Sequence, residues 1–327
     1  ALEWGSRGRR FKSFHPDQYK DQKKTGGSNL SRSFLLPCRL GLAPGAAANV
    51  VPQRWKGFIR QKVLRKGRPA GAGKKKARLH QERHAMKEIH VKDISAAVAR
   101  LCVEACCRLP ADVREALAAR QLEEPSPVGR DILGQLVQNA AIAADESVPI
   151  CQDTGLAVVF AEVGQDVHIT GGSFEDAVNE GVRRGYVDGW LRKSCVAEPL
   201  FERRNTGDNT PAVLHVRLVP GDGLRLRLAP KGAGSENKSV VRMLVPADGI
   251  EGVRKVVLDA VLAAGPNSCP PMIVGVGIGG TMELAALCAK RAAARDLLSR
   301  NADPRYAAFE DELLEMINKT GIGPQGL

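Results

Sequence analysis

The run Cys151-Gln152-Asp153-Thr154-Gly155 sets a thiol, an amide and a carboxylate side by side, just ahead of an apolar stretch at 156–160. A soft metal ligand and a proton donor arrive together. A second cysteine, Cys269, sits in Gly265-Pro266-Asn267-Ser268-Cys269-Pro270-Pro271, before another apolar run at 272–276. Both sulfurs fall in loops that lead into strands, and loops held on rigid scaffolds are where chemistry concentrates. The spacings lack the Cys-x-x-Cys pairs of zinc ribbons and bacterial ferredoxins, so a metal centre here would have to be assembled from distant loops. The other cysteines read differently. Cys102, Cys106 and Cys107 share one expected helix and Cys288 lies in another, where cysteine behaves as a small buried hydrophobe. Cys38 falls in the basic N-terminal segment, and Cys195 follows Leu191-Arg192-Lys193-Ser194 with nothing in the sequence to position it.

Two further segments concentrate polar groups. In Lys231-Gly232-Ala233-Gly234-Ser235-Glu236-Asn237-Lys238-Ser239, small residues let the backbone approach a ligand while Lys231, Ser235, Asn237 and Lys238 supply donors. That combination suits a carboxylate or phosphate, and a solvated loop is the plain alternative. Nucleotide hydrolysis is disfavoured, because Gly-Lys is not followed directly by Ser or Thr. The segment Gly275-Val276-Gly277-Ile278-Gly279-Gly280-Thr281 contains Gly-x-Gly-x-x-Gly. The acidic residue that a dinucleotide site needs about 20 residues later, at the end of a second strand, is missing, since that stretch reads as helix through Asp296. A tightly packed or anion-binding helix N-terminus is the better reading. A nicotinamide-binding oxidoreductase using Gly275–Gly280 stands as an alternative.

These loops need a scaffold, and the chain has material for one. Its 327 residues are 43% hydrophobic, enough for a sizeable core. No apolar run reaches the ~20 residues of a membrane helix, and no compact secretory signal is visible. Scattered cysteines in a chain of this length point to reduced thiols and a cytoplasmic location. The net charge of +12 is unevenly placed. Residues 1–84 hold 21 Lys+Arg against 4 Asp+Glu, so the remainder is slightly acidic. Residues 1–85 therefore read as a basic arm, disordered or a non-native leader, while a transit segment or a nucleic-acid-binding arm also fits its composition. Aromatic residues make up only 4% of the chain, which disfavours nucleic acid as a partner of the folded part.

From about residue 86 the patterning becomes periodic. Helices are expected at 92–108, at 111–121 and around Ile132–Ile142, followed by strands at 156–163 and 167–169 pairing as a hairpin. A helix at 173–184 capped by Ser173 comes next, then a second hairpin, 213–219 with 224–228, turning through Pro220-Gly221-Asp222-Gly223 with Arg225 and Arg227 on its wet face. Helices at 249–264, 281–298 and 304–318 close the chain. The expected fold is α+β: a helical N-terminal lobe feeding a mixed α and β body, as one domain over 86–327.

Taken in order, these segments resemble the α part of the iron-sulfur-dependent hydro-lyases, the class I fumarate hydratases and L-tartrate dehydratase α subunits. The resemblance rests on Asn139-Ala140 ahead of Val148-Pro149-Ile150-Cys151-Gln152-Asp153-Thr154-Gly155, and on residues 231–238. It extends through Asn267-Ser268-Cys269-Pro270-Pro271 and residues 275–281 with Glu283 and Ala285, to Gly321-Ile322-Gly323-Pro324-Gln325-Gly326-Leu327. It implies a [4Fe-4S] cluster held by three cysteines, with Cys151 and Cys269 as two of them and one iron left open to substrate. It also implies reversible dehydration of a 2-hydroxy dicarboxylate, such as malate to fumarate or tartrate to oxaloacetate. Asp153 would be the acid, Gln152 would orient substrate, and Arg192, Gly234, Asn237 and Lys238 would hold a substrate carboxylate. In the family the third cysteine follows the Gly-Ile-Gly-Pro-Gln-Gly-Leu segment, so the domain is expected to be incomplete at its C-terminus. A β subunit or fused β domain is expected to supply the base and further arginines, within a homo- or hetero-oligomer. The isolated chain is expected to be inactive. A basic-arm nucleic-acid binder is the competing reading from another class.

Overall fold

A computed structural model describes the backbone of Arg32–Pro37 together with residues 86–326. The rest of the expected basic arm, including Cys38, lies outside the described residues. In chain order the elements are β1 (Arg32–Pro37), β2 (Lys87–His90), α1 (Val91–Cys107), α2 (Ala111–Glu123), α3 (Pro127–Glu146), β3 (Leu156–Gly164) and β4 (Val167–Thr170). Then follow α4 (Phe174–Asp188), β5 (Val213–Val219), β6 (Leu224–Lys231), the single turn α5 (Ala233–Glu236), α6 (Gly249–Ala264), β7 (Ile273–Ile278), α7 (Met282–Ala293) and α8 (Pro304–Asn318). The architecture is α+β, and the first three helices do precede the mixed body. No helix among the described residues is long and apolar enough to cross a membrane.

Neither expected hairpin forms. β3 is the middle strand of a sheet ordered β5-β3-β6, parallel to β5 and antiparallel to β6, while β4 leaves to pair in parallel with β2. β5 and β6 are thus separated by a strand instead of being bonded to each other. Their connecting loop arches over the end of β3, where Gly164 N donates to Gly223 O at 2.8 Å and Gln165 N to Val219 O at 2.9 Å. A Cβ on Gly164 would stand 2.2 Å from Gly221 O, so only glycine lets the loop close. The physical sign of this arrangement is the apolar run 156–161 of β3, in which 157–161 are all buried, on both faces, as a central strand requires. Arg225 and Arg227 do lie on the exposed side of β6, pairing with Glu162 and Asp296.

One face of this sheet carries the main core. Ala157 and Val159 pack with Ile94, Val98 and Cys102 of α1 and with Val178, Val182 and Tyr186 of α4. Each such fully buried aliphatic side chain contributes roughly 1.5–3 kcal/mol. The two helices approach closely because α4 presents glycines. A Cβ on Gly181 would lie 2.6 Å from Val98 Cβ, and one on Gly185 would lie 2.7 Å from Cys102 Cβ and 2.8 Å from Ala99 O. His90 and Ser173 start these helices by accepting from Lys92 N and Asp176 N.

A second cluster joins Val257 and Val261 of α6 to Phe309, Leu313 and Ile317 of α8, with Val274 and Val276 of β7 against it. β1 pairs in parallel with β7, so the segment expected as an arm contributes one strand. Gly275 and Gly277 lie inside β7, where Cβ atoms would stand 2.1 Å from Ala289 O and 2.0 Å from Ala285 O. Two glycines of the dinucleotide-like pattern thus serve the contact of strand with α7, as in the packing alternative. The ion pair Arg295–Glu310, nearly buried at 2.9 Å, ties the end of α7 to α8.

The α1–α4 contact gives a direct check. Gly185→Val should lower stability by about 1–3 kcal/mol through overpacking against backbone that cannot move aside. Denaturant unfolding measures it, and an unchanged midpoint would contradict the close approach.

Candidate active site

The Cys151 loop is held at its entrance from two sides. Ile150 N donates to Cys106 O of α1 at 2.9 Å, and Asn139 Nδ2 of α3 donates to Ile150 O at 2.9 Å. Cys151 then emerges exposed, with Asp153 N donating to its Sγ at 3.4 Å and Gln152 Oε1 3.3 Å from the sulfur.

Beyond Asp153 the chain enters the core, and its polar groups must find partners there. Thr154 is buried and its Oγ1 donates to Arg192 O at 3.1 Å. The Tyr186 hydroxyl, fully enclosed, donates to Thr154 O at 2.8 Å with Gly155 O 3.2 Å away. Burial pushes the Tyr186 pKa far up, so it stays a donor. Asn209 Nδ2 donates to Gly155 O at 3.0 Å.

Asp153 stands where this loop meets the end of β6. Its Oδ1 accepts from Gly155 N at 3.2 Å, and its Oδ2 lies 2.8 Å from where a Cβ on Gly232 would be. Gly155 has φ +61, and a Cβ there would fall 2.3 Å from Lys231 C and O. Glycine at both positions is what lets the acid-bearing loop lie against the segment 231–238. Within that segment Lys231 Nζ donates to Ser235 Oγ at 2.7 Å, while Glu236 receives Lys290 Nζ at 2.6 Å on both carboxylate oxygens. Burial lowers the Lys231 pKa, opposed by the neighbouring Glu236, and the Lys290 and Lys231 charges hold Glu236 below the usual carboxylate range despite its burial.

Cys269 follows a short 3-10 turn, Gly265–Ser268, that packs against α5. It is exposed and has φ 54, a left-handed conformation uncommon outside glycine. The C-terminal turn docks on the same loop, with Gln325 N donating to Pro270 O at 2.9 Å. The sequence-derived candidates thus fall on neighbouring segments: Cys151, Gln152 and Asp153 on one loop, Gly234 in α5 with Asn237 and Lys238 after it, and Cys269 on the turn against α5. Arg192 belongs to the loop after α4, with an exposed side chain free of ion pairs among the described residues.

Two exposed thiols on loops that meet the same segment are the donor chemistry that an iron-sulfur cluster takes. They fit two corners of one. Among the described residues no three His, Cys, Asp or Glu side chains are grouped to hold a metal ion, so a third ligand is not found there. Cys102, Cys106, Cys107 and Cys195 are buried, in keeping with a core role. Cys195 is positioned after all, with its N–H and Sγ both directed to Asn209. Tyr186 and Asn209 were not singled out in the sequence, and Thr154 had no role within its motif. Asn209 sits in Gly207-Asp208-Asn209-Thr210-Pro211, which carries only turn signals.

A family profile described as fumarate hydratase (fumerase) matches residues 95–327. The chain belongs to that family. It is a hydro-lyase, and its relatives agree. A protein of Methanocaldococcus jannaschii, provisionally named L(+)-tartrate dehydratase subunit alpha, is 38% identical over 239 residues, covering 72% of this chain and 84% of that protein. The L(+)-tartrate dehydratase subunit alpha of Escherichia coli strain UTI89 is 33% identical over 245 residues, covering 74% and 80%. The strain K12 protein of the same name is 32% identical over the same coverage.

Exposure and pKa together set thiol reactivity. Burial pushes Cys102 and Cys106 up to about 12, and also raises Cys107 and Cys195. Iodoacetamide on the reduced, metal-free chain at about pH 8 should therefore alkylate Cys151 and Cys269 more than about tenfold faster than Cys102 or Cys106. Peptide mass mapping over time reads this directly, and equal rates would rule out the packed α1 core.

Proposed function

We propose that this hydro-lyase dehydrates a 2-hydroxy dicarboxylate of the malate or tartrate class, with Asp153 as the acid. The observation that carries the reading is the placing of half-buried Asp153, whose backbone N–H donates to the Cys151 sulfur while its carboxylate lies against Gly232. The names of the tartrate dehydratase relatives support the substrate class.

Cys151 and Cys269 are the residues that would hold a [4Fe-4S] cluster, their third companion lying outside the described residues. When bound, its open iron would supply Lewis acidity toward the substrate hydroxyl and carboxylate. The chain's own groups do the rest. Arg192 binds a substrate carboxylate as a two-pronged donor, and Lys238, Asn237 and the Gly234 backbone complete the cradle. Gln152 orients the substrate beside Cys151. Asp153 gives its proton to the leaving hydroxyl as the C–O bond breaks, and a base removes the proton from the adjacent carbon while the C=C bond forms. We assign that base to a β subunit or β domain, in line with relatives named as α subunits. The domain from residue 86 onward is the α unit of this assembly, in a cytoplasmic setting where thiols stay reduced.

Three variants separate the roles. In the holoenzyme, Asp153→Asn should lower kcat by about 10²–10⁴-fold with little change in KM, for malate and tartrate alike. Cys151→Ser and Cys269→Ser should each abolish the electron paramagnetic resonance signal after anaerobic reconstitution. Full activity in Asp153→Asn would remove the acid assignment, and an intact signal in either cysteine variant would remove that ligand.

A further inference from the structure

The Asp153 loop and the Arg192 loop are remote in sequence, yet acid and carboxylate clamp must keep a fixed separation if one substrate is to meet both. The direct link between them is Thr154 Oγ1 to Arg192 O. A second link runs through a side chain with no surface exposure at all. Asn209 Nδ2 donates to Gly155 O at 3.0 Å, while Asn209 Oδ1 accepts from Ser194 N at 2.6 Å and from Cys195 N at 3.2 Å. Its backbone carbonyl accepts from Cys195 Sγ at 3.2 Å. One amide thus gives its donor to the acid loop and its acceptor to the clamp loop.

The local chain is shaped to deliver it. Residues 196–205 leave and return through a bridge between Val196 and Asn205, and Thr206 N donates to Cys195 O at 3.0 Å. That return brings Asn209 back beside Ser194. Asn209 has φ 64, a left-handed conformation that asparagine tolerates better than other residues with a Cβ. No other side chain offers a donor and an acceptor on one short planar group at that backbone angle; aspartate keeps the shape but lacks the N–H.

We propose that Asn209 is a positioning residue for the dehydration reaction, fixing Arg192 relative to Asp153 through the backbone of both loops. The inference rests on the acid and clamp assignments above, but its structural half does not. Loss of the Gly155 bond frees the acid loop, and loss of the Ser194 and Cys195 bonds frees the clamp.

Two variants divide these effects. Asn209→Asp keeps the acceptor and the backbone angle and removes the donor; Asn209→Gly keeps the backbone angle and removes both. Amide hydrogen exchange on the folded chain should show Ser194 and Cys195 exchanging faster in Asn209→Gly and staying protected in Asn209→Asp. Unchanged protection in Asn209→Gly would overturn the proposal without reference to activity. In the holoenzyme, with malate and tartrate as substrates, Asn209→Asp, which frees only the acid loop, should lower kcat about tenfold, while Asn209→Gly, which also frees the clamp, should raise KM about tenfold and Arg192→Ala about 10- to 100-fold. Combined with Arg192→Ala, Asn209→Gly should add less than about twofold in KM, because there it acts through a side chain already gone. Full additivity would overturn the positioning role. If Arg192→Ala alone leaves KM unchanged, the clamp assignment fails instead, and hydrogen exchange decides the role of Asn209 separately. Should Asn209→Gly not fold, Asn209→Asp combined with Asp153→Asn carries the decision: the pair should lower kcat less than about twofold beyond Asp153→Asn alone, and full additivity would overturn the positioning role.

Discussion

The carbonyls of Thr154 and Gly155 must be satisfied at the point where an exposed loop becomes a strand buried on both faces. An unpaired carbonyl there would cost about 1–3 kcal/mol, and water cannot reach the site to repair it. The protein answers with Tyr186 from α4 and Asn209 from the loop before β5. Much of the site follows from that requirement. Tyr186 reaches the strand only because Gly181 and Gly185 let α4 settle close against α1. Asn209 reaches it only because residues 196–205 double back. A demand for hydrogen-bond partners inside the core thereby sets the place of groups outside it, since Asp153 is one residue from Thr154 and Arg192 O is bonded to Thr154 itself.

Glycine governs the second constraint, which is distance. The Asp153 loop and the Lys231-Gly232 backbone lie so close that a single methyl at Gly155 or Gly232 would enter occupied space. The closeness leaves Asp153 half-buried, with its backbone N–H on the Cys151 sulfur. Around it the charges are arranged with opposite signs adjacent. Glu236 joins Lys231 to Lys290, so two cations beside the Asp153 loop share one carboxylate.

Local signals in the sequence were enough for helices and not for pairing. The spans 249–264 and 304–318 match α6 and α8, because an amphipathic period and helix-ending residues act within a few turns of chain. The expected hairpins failed for the opposite reason: adjacency in sequence says nothing about a third strand inserted between β5 and β6. The apolar continuity of 156–161 did carry the answer, since a strand with one wet face would alternate. The chemical residues were legible in part. Cysteine, aspartate and arginine stand out by type, and the ordered motifs place them in one family. Asn209 and Tyr186 have ordinary types in ordinary surroundings, Thr154 stands out only through its motif, and their importance arises from partners 14 to 54 positions away.

The cysteines show how one residue type is sorted by environment. α1 encloses Cys102, Cys106 and Cys107 where burial keeps the thiol protonated and out of reach. Cys151 lies one peptide beyond Ile150, whose N–H is bonded to Cys106 O, so the inert and the exposed sulfur are joined by a single backbone hydrogen bond. The rigid helix that must exclude water from its own thiols is therefore also the anchor that presents Cys151 to it. A more mobile anchor would let that sulfur sample many positions, and a rigid metal-sulfur arrangement selects few of them. Exposure of the Cys151 thiol thus depends on burial of its neighbours, and the packing of α1 against α4 reaches that loop through one carbonyl.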